Sequence, residues 1–242
     1  MVLATTTSTR DTGLLDTLVP AFEQAGRCSV KTVAVGSGQA LDLGARGQAD
    51  VLLVHSPDAE QTFMTQGHGA SRLAVIHNDF VLVGPPADPA KAAGAGVAVP
   101  ALQAIAHARA RFASRADDSG TNAKELKLWR QAGITPSGSW YIKTGQGMGP
   151  TLTIASQKRA YTLSDRGTFL ATKNLDSKIL VQGGQALQNP YHVIVVKHSG
   201  TNVGCGRAFS RWITSAPTQR VIAGFGKSQY GQALFHPDAG AK

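Results

Sequence analysis

A chain of 242 residues with 42% hydrophobic and 16% charged side chains is long enough for one large domain or two modest lobes, each with its own core, and too apolar to be disordered. Apolar runs such as Val51–Val54 and Val193–Val196 are far too short to cross a bilayer. The formal net charge of +9 favours an anionic partner; because the basic residues are scattered and aromatics make up only 6%, a small anion is expected and nucleic acid is not.

The chain opens Met1-Val2-Leu3-Ala4 and turns polar at once, without the charged and apolar regions of a signal peptide, so it is either cytosolic or stands here without a leader. Leu14, Leu15, Leu18, Val19 and Phe22 share one helical face, and Pro20 is expected to kink or shorten that helix. Ser29–Val35, Asp50–Val54 and Phe80–Val83 read as strands with helical patterns between them, the mark of a parallel sheet covered by helices.

The Pro, Gly and Ala-rich stretch Ala87–Gly96 reads as a surface connection and a candidate lobe boundary. Beyond it, Pro100–Arg111 and Thr121–Ala132 read as helices, the second stopped by Gly133. Tyr161–Leu163 and Ile179–Val181 are expected as strands of a second α/β unit. Tyr191–Lys197 is expected to return to the first lobe, where the helical tail from Asn202 also packs. Cys28 and Cys205 fit no metal spacing and either form one disulfide or stay as two buried thiols.

Four polar segments stand at predicted strand-to-helix junctions: Thr5–Thr9, Gly36-Ser37-Gly38, Ser114–Thr121 and Asp165–Thr168. A helix start offers N–H groups without partners and a partial positive charge, and Ser and Thr hydroxyls add donors there; together they make an anion cradle. Any one segment alone reads equally as an ordinary cap. Four of them in one α/β chain, at the strand ends where open sheets bind ligands, point to a ligand. A buried dianion also needs a cation, for which Arg115 is the first candidate, Arg166 the second and Arg10 the third. Arg166 is open to pairing with a neighbour or with Asp117, and Asp117 and Asp118 are read as residues that orient an arginine.

Enzyme signals are weak. Gly226-Lys227-Ser228 lacks the glycine that a phosphate loop needs, which is Val221 here, and the seven histidines are dispersed without ligand spacing. Gly145–Gly149 reads as a close-packing turn, and Trp129, Trp140 and Tyr141 as core or cleft wall. A phosphate-ester hydrolase is the remaining enzymatic alternative, and no nucleophile with a paired base supports it.

Thr5-Thr6-Thr7-Ser8, Asp11–Leu15, Ala49–His55, Asn78–Pro85, Ser114–Thr121, Gly145–Gly149, Tyr161–Thr168 and Asn189-Pro190-Tyr191, in that order over nearly the whole chain, resemble the tungstate-binding subunit of the tungstate ABC transporter. The resemblance implies an α/β fold of the periplasmic binding protein type II class, with two lobes, a hinge and the ligand in the interlobe cleft. Lobe 1 would comprise residues 1–84 and 193–242, and lobe 2 residues 85–192. It implies an exported periplasmic monomer that is not an enzyme, uses no cofactor or metal ion, and delivers tungstate or molybdate to an ABC permease in the inner membrane. Sulfate and phosphate are the alternative ligands. Carried over by motif, the ligand-binding residues would be Thr7, Ser8, Thr9, Ser37, Gly38, Ser114, Arg115, Ser119, Gly120, Thr121, Arg166 and Thr168. Gly183-Gly184-Gln185 and His192 depart from the family pattern outside these motifs.

Overall fold

The computed structural model describes residues 1–26, 28–198 and 200–240; positions 27, 199, 241 and 242 of the expected first lobe lie outside the described residues. The chain divides into two compact units, one formed by Met1–Asn78 with Pro190–Lys242 and the other by Asp79–Asn189.

In the first unit β1 (Val2–Thr6) runs parallel to β2 (Lys31–Val35) on one side and β3 (Val51–Val54) on the other. Every residue of β3 is fully buried, as expected for a parallel-sheet strand covered on both faces. The strands β4 (Gly69–Gly84), β9 (Gln188–Val196) and β10 (His236–Pro237) complete the sheet in the order β10-β4-β9-β3-β1-β2. Between the parallel strands run α1 (Thr7–Asp11), α2 (Leu14–Gln24) and α3 (Ser37–Ala45), with α4 (Pro57–Thr65) after β3. One core joins Ala40 and Leu41 of α3 and Phe63 of α4 to Ala4, Leu52, Val54, Ile194 and Val196 of the sheet.

The tail from Asn202 forms α9 (Val203–Ile213), α10 (Ala216–Gly224) and α11 (Lys227–Tyr230). Phe22 of α2 meets Phe209 and Trp212 of α9 edge-on, at 5.1 and 5.4 Å between ring centres. Cys28 and Cys205 form a disulfide between the same two regions. Of the two effects expected of Pro20, a kink or a shortened helix, the shortening is not seen, since α2 continues through it to Gln24. Leu14, Leu15, Leu18 and Phe22 are all buried on one face, and that burial outweighs the hydrogen bond that proline removes.

In the second unit the Phe80–Gly84 part of β4 is flanked by β7 (Thr162–Asp165) and β8 (Lys178–Val181), both antiparallel to it. β5 (Phe112–Ser114) pairs in parallel with β6 (Tyr141–Lys143), and Phe112 bridges in parallel to Tyr161 just ahead of β7. α5 (Ala98–His107) leads into β5. α6 (Gly120–Gln131), α7 (Met148–Gln157) and α8 (Arg166–Ala171) follow β5, β6 and β7. Phe80, Leu82, Leu102, Ile105, Phe112, Leu128, Trp129, Tyr141, Tyr161 and Leu163 build one core. Gly84 is required there, because a Cβ would lie 2.6 Å from carbons of Tyr161 and Leu180.

The chain passes between the units inside β4, after Asn78, and inside β9, after Asn189; Gly84 and His192, the expected boundary residues, lie in these same strands. Ala87–Gly96, expected at a lobe boundary, lies inside the second unit. Buried Tyr161 holds it there: its hydroxyl donates to Asp88 Oδ1 at 2.8 Å and accepts from Ala90 N–H at 2.9 Å, while Asp88 accepts from Ala92 and Ala93 N–H. Among the described residues no helix is long and apolar enough to cross a membrane.

Candidate functional site

The three parallel strands of the first unit deliver helix starts side by side. Thr6 faces Val35 across the β1–β2 ladder, so Thr7 and Ser37, which open α1 and α3, leave neighbouring strand ends. Thr6 caps α1, its hydroxyl accepting from Thr9 N–H at 3.3 Å and sharing a 2.7 Å hydrogen bond with the Thr9 hydroxyl. Ser8 and Thr9 are buried. Gly36 has no side chain to cap α3, so the first N–H groups of that helix, including Gly38, have no side-chain acceptor. Thr7 Oγ1 and Ser37 Oγ are buried without a hydrogen-bond partner, a costly arrangement unless something else supplies one. Arg10 is exposed and pairs with Asp11 at 2.8 Å, as a solvated surface residue does.

The second unit repeats the scheme at the ends of β5, β6 and β7. Arg115 directly follows β5 and is only 3% exposed; Nη2 donates to Asp117 Oδ2 at 2.6 Å, Nε to the same oxygen at 3.1 Å, and Nη1 to Thr121 Oγ1 at 3.4 Å. Asp117 therefore orients Arg115. The loop that achieves this holds Ala116 and Asp118 at φ of 47° and 55°, the left-handed region that non-glycine residues occupy at a cost. Ser119 caps α6 by accepting from Asn122 N–H at 3.2 Å, leaving Gly120 and Thr121 in its first turn.

Two expected donors are otherwise engaged. The Ser114 hydroxyl donates to Glu125 Oε2 at 2.6 Å, and Glu125 Oε1 accepts from Tyr141 at 2.6 Å and Trp129 at 3.0 Å. Burial pushes the Glu125 carboxyl above the usual carboxylate range, against the pull of those hydrogen bonds. Arg166 is tied to Asp79 rather than to Asp117: Nε donates to Oδ1 at 2.8 Å and Nη2 to Oδ2, with Gln182 Oε1 accepting at 2.9 Å. That pairing holds the guanidinium above its ordinary value.

Thr168 is buried at the start of α8. Its N–H donates to Asp165 Oδ1 at 2.8 Å, while Thr168 Oγ1 and Asp165 Oδ2 are buried without partners. The glycine-rich turn also belongs here, because Gly145 N–H donates to Arg115 O at 2.8 Å and Gly147 begins α7. Residue patterns did not single out Glu125 or Asp79 as organisers, whereas Asp165 stands in a segment read as a helix start. A carboxylate on an apolar helix face, as at Glu125 beside Leu128 and Trp129, is the signal that was there to be read.

Each unit, taken by itself, has parallel strands that end in helix starts and a buried hydroxyl without a partner, and the second unit adds a buried, oriented arginine. The PBP superfamily domain matches residues 1–217. The tungstate-binding protein TupA of Peptoclostridium acidaminophilum is 47% identical over 99% of this chain and 86% of its own length. The structure of the tungstate ABC transporter protein from Geobacter sulfurreducens superposes with a TM-score of 0.82 at 44% identity, covering 92% of this chain and 97% of that one. The tungstate-binding protein TupA from Desulfovibrio alaskensis G20 gives 0.81 at 40% identity, over 99% and 98%. With cradle, fold and relatives in agreement, this chain belongs to the PBP superfamily and, within it, to the family of the TupA tungstate-binding proteins.

Proposed function

We propose that this chain is the solute-binding subunit of an ABC importer, that it captures tungstate as a tetrahedral oxyanion, and that it passes the ion to a membrane permease. It works as an exported, periplasmic monomer; no bond is made or broken. Thr7, Ser8, Thr9, Ser37 and Gly38 donate from the first unit, and Arg115, Ser119, Gly120, Thr121 and Thr168 from the second. Ser114 and Arg166 support them through Glu125 and Asp79.

The observation that carries this reading is the set of buried hydroxyls without partners, Thr7 Oγ1, Ser37 Oγ and Thr168 Oγ1, at helix starts in a chain that also buries Arg115. A tetrahedral dianion offers acceptors and no donors, which is what these groups lack. Charge-assisted hydrogen bonds contribute roughly 1.5 to 3 kcal/mol each, so a handful, offset by desolvation, reaches about −11 to −14 kcal/mol, or nanomolar affinity and tighter.

The test is retention. Protein incubated with equimolar tungstate, molybdate, sulfate and phosphate, then desalted, is analysed for bound tungsten, molybdenum, sulfur in excess of the chain's own, and phosphorus. One tungsten per chain supports the reading. Retained molybdenum, sulfate or phosphate in its place reassigns the ligand, and no retained oxyanion overturns the transport role.

A further inference from the structure

Asp165 is a buried carboxyl in one of these segments, and its second oxygen has no hydrogen-bond partner. It is fully buried, at 0% exposure, at the end of β7. Oδ1 accepts from Thr168 N–H, which caps α8, and Oδ2 accepts nothing. Arg115, the cation whose charge acts on it, is already committed to Asp117 by two donors. A carboxylate so placed would bury a charge with one hydrogen bond to its credit, whereas a carboxylic acid would bury only a hydroxyl and a carbonyl.

The charged groups around it do not change that balance. On β4, Asp79 is bound by Arg166, the residue that follows Asp165. On α6, Glu125 is held by Ser114, Trp129 and Tyr141, Lys124 donates to Ala186 O, and Lys127 and Arg130 lie on the exposed side. α7, which packs on both β7 and α8, carries no titratable side chain from Met148 to Gln157. Burial raises Asp165 above the usual carboxylate range; Thr168 N–H, the nearby Thr168 hydroxyl and the charge of Arg115 only partly oppose it.

We propose that Asp165 is a specificity-determining residue for the oxyanion, held as the neutral acid in the binding-competent protein and donating from Oδ2 to the ligand beside the bare hydroxyl of Thr168. This rests on the oxyanion reading above. A neutral acid adds a donor for a fully deprotonated ion such as tungstate. Once ionised, the same oxygen repels that ion, so affinity falls as pH rises through the titration of Asp165.

The experiment is a tungstate titration of the full chain, by competition where binding is tight, from about pH 6 to about pH 9, on the wild type and Asp165→Asn. Asparagine keeps the Oδ1 acceptor that caps α8 and replaces the acid hydroxyl with an amide donor. The wild-type affinity is expected to weaken by up to about tenfold per pH unit above the ionisation of Asp165. Asp165→Asn is expected to stay within about threefold of the wild type's low-pH affinity and to show no such slope. Parallel pH profiles, or a loss of about a hundredfold in Asp165→Asn at every pH, overturn the proposal and leave the oxyanion reading standing. Absence of tungstate binding by the wild type at any pH overturns both. Should the variant fail to fold, infrared spectra of the wild type decide: a protonated-carboxyl band that shifts on tungstate binding is expected, and a band that does not respond to the ion overturns the proposal.

Discussion

Arg115 and Asp117, two residues apart, meet through two guanidinium nitrogens on one carboxylate oxygen, at 2.6 and 3.1 Å, with the arginine almost fully buried. An arginine so held has lost its rotamer freedom before any ligand arrives, which cuts the cost of binding. Arg115→Ala is expected to lower tungstate affinity by about a hundredfold or more, because it removes a charge-assisted donor and leaves Asp117 unneutralised. Lysine cannot supply the fork and should restore little. Arg166→Ala is the companion variant: with its fork closed on Asp79, it should cost roughly 1 to 2 kcal/mol of stability and change affinity less than tenfold. Titration and urea unfolding of both variants check this, and a larger affinity loss for Arg166→Ala would exchange the two roles.

Thr7 and Ser37 make the opposite prediction for stability. Both hydroxyls are buried without partners, so removing them takes nothing from the fold. Thr7→Val with Ser37→Ala is expected to leave the thermal midpoint unchanged or slightly higher while weakening tungstate binding by at least about tenfold. Calorimetry of the double variant would show it. Unchanged affinity would remove the first unit from the binding account.

Glu125 and Asp165 set the pH dependence of stability. Both are raised by burial, so the folded chain keeps protons at pH values where the unfolded chain has released them. Their contribution is fully present below the ordinary carboxylate pKa and is lost as pH rises through the raised values, at up to about 1.4 kcal/mol per pH unit for each group. Urea unfolding followed by tryptophan fluorescence should show stability falling across that window, with a shallower slope in Glu125→Gln. Glu125→Ala should be far worse than Glu125→Gln, because Ser114, Trp129 and Tyr141 all lose their acceptor.

The Cys28–Cys205 disulfide closes a loop of sequence separation 177, long enough for a large entropic effect on the unfolded chain. Replacing both cysteines with alanine is expected to cost roughly 2 to 5 kcal/mol. Tungstate affinity should stay within about threefold, since neither cysteine belongs to a cradle and the contacts of Phe22 with Phe209 and Trp212 remain. Thermal unfolding with and without reductant reads the first effect.

The cradle motifs could be read from sequence because caps and hydroxyl-rich helix starts are local: Thr6, Ser119 and Asp165 each cap a helix within three residues. What could not be read were partners far apart in the chain. Arg166 meets Asp79 across 87 residues, and Ser114 meets Glu125 only because α6 turns a carboxylate inward. No periodicity encodes either contact. Pro20 misled about helix length for a related reason, since the penalty of a proline is local while part of the burial that opposes it, the contact of Phe22 with Phe209, comes from far along the chain.

Selective binding of tungstate through these donors is what the proposed transport role requires. Calorimetric titration of the purified protein with tungstate, molybdate, sulfate and phosphate, in a buffer free of competing oxyanions, tests it most directly. One-to-one binding of tungstate at nanomolar affinity or tighter, with sulfate and phosphate silent, is the expected result. Tight phosphate binding, or no binding of any oxyanion, would contradict it.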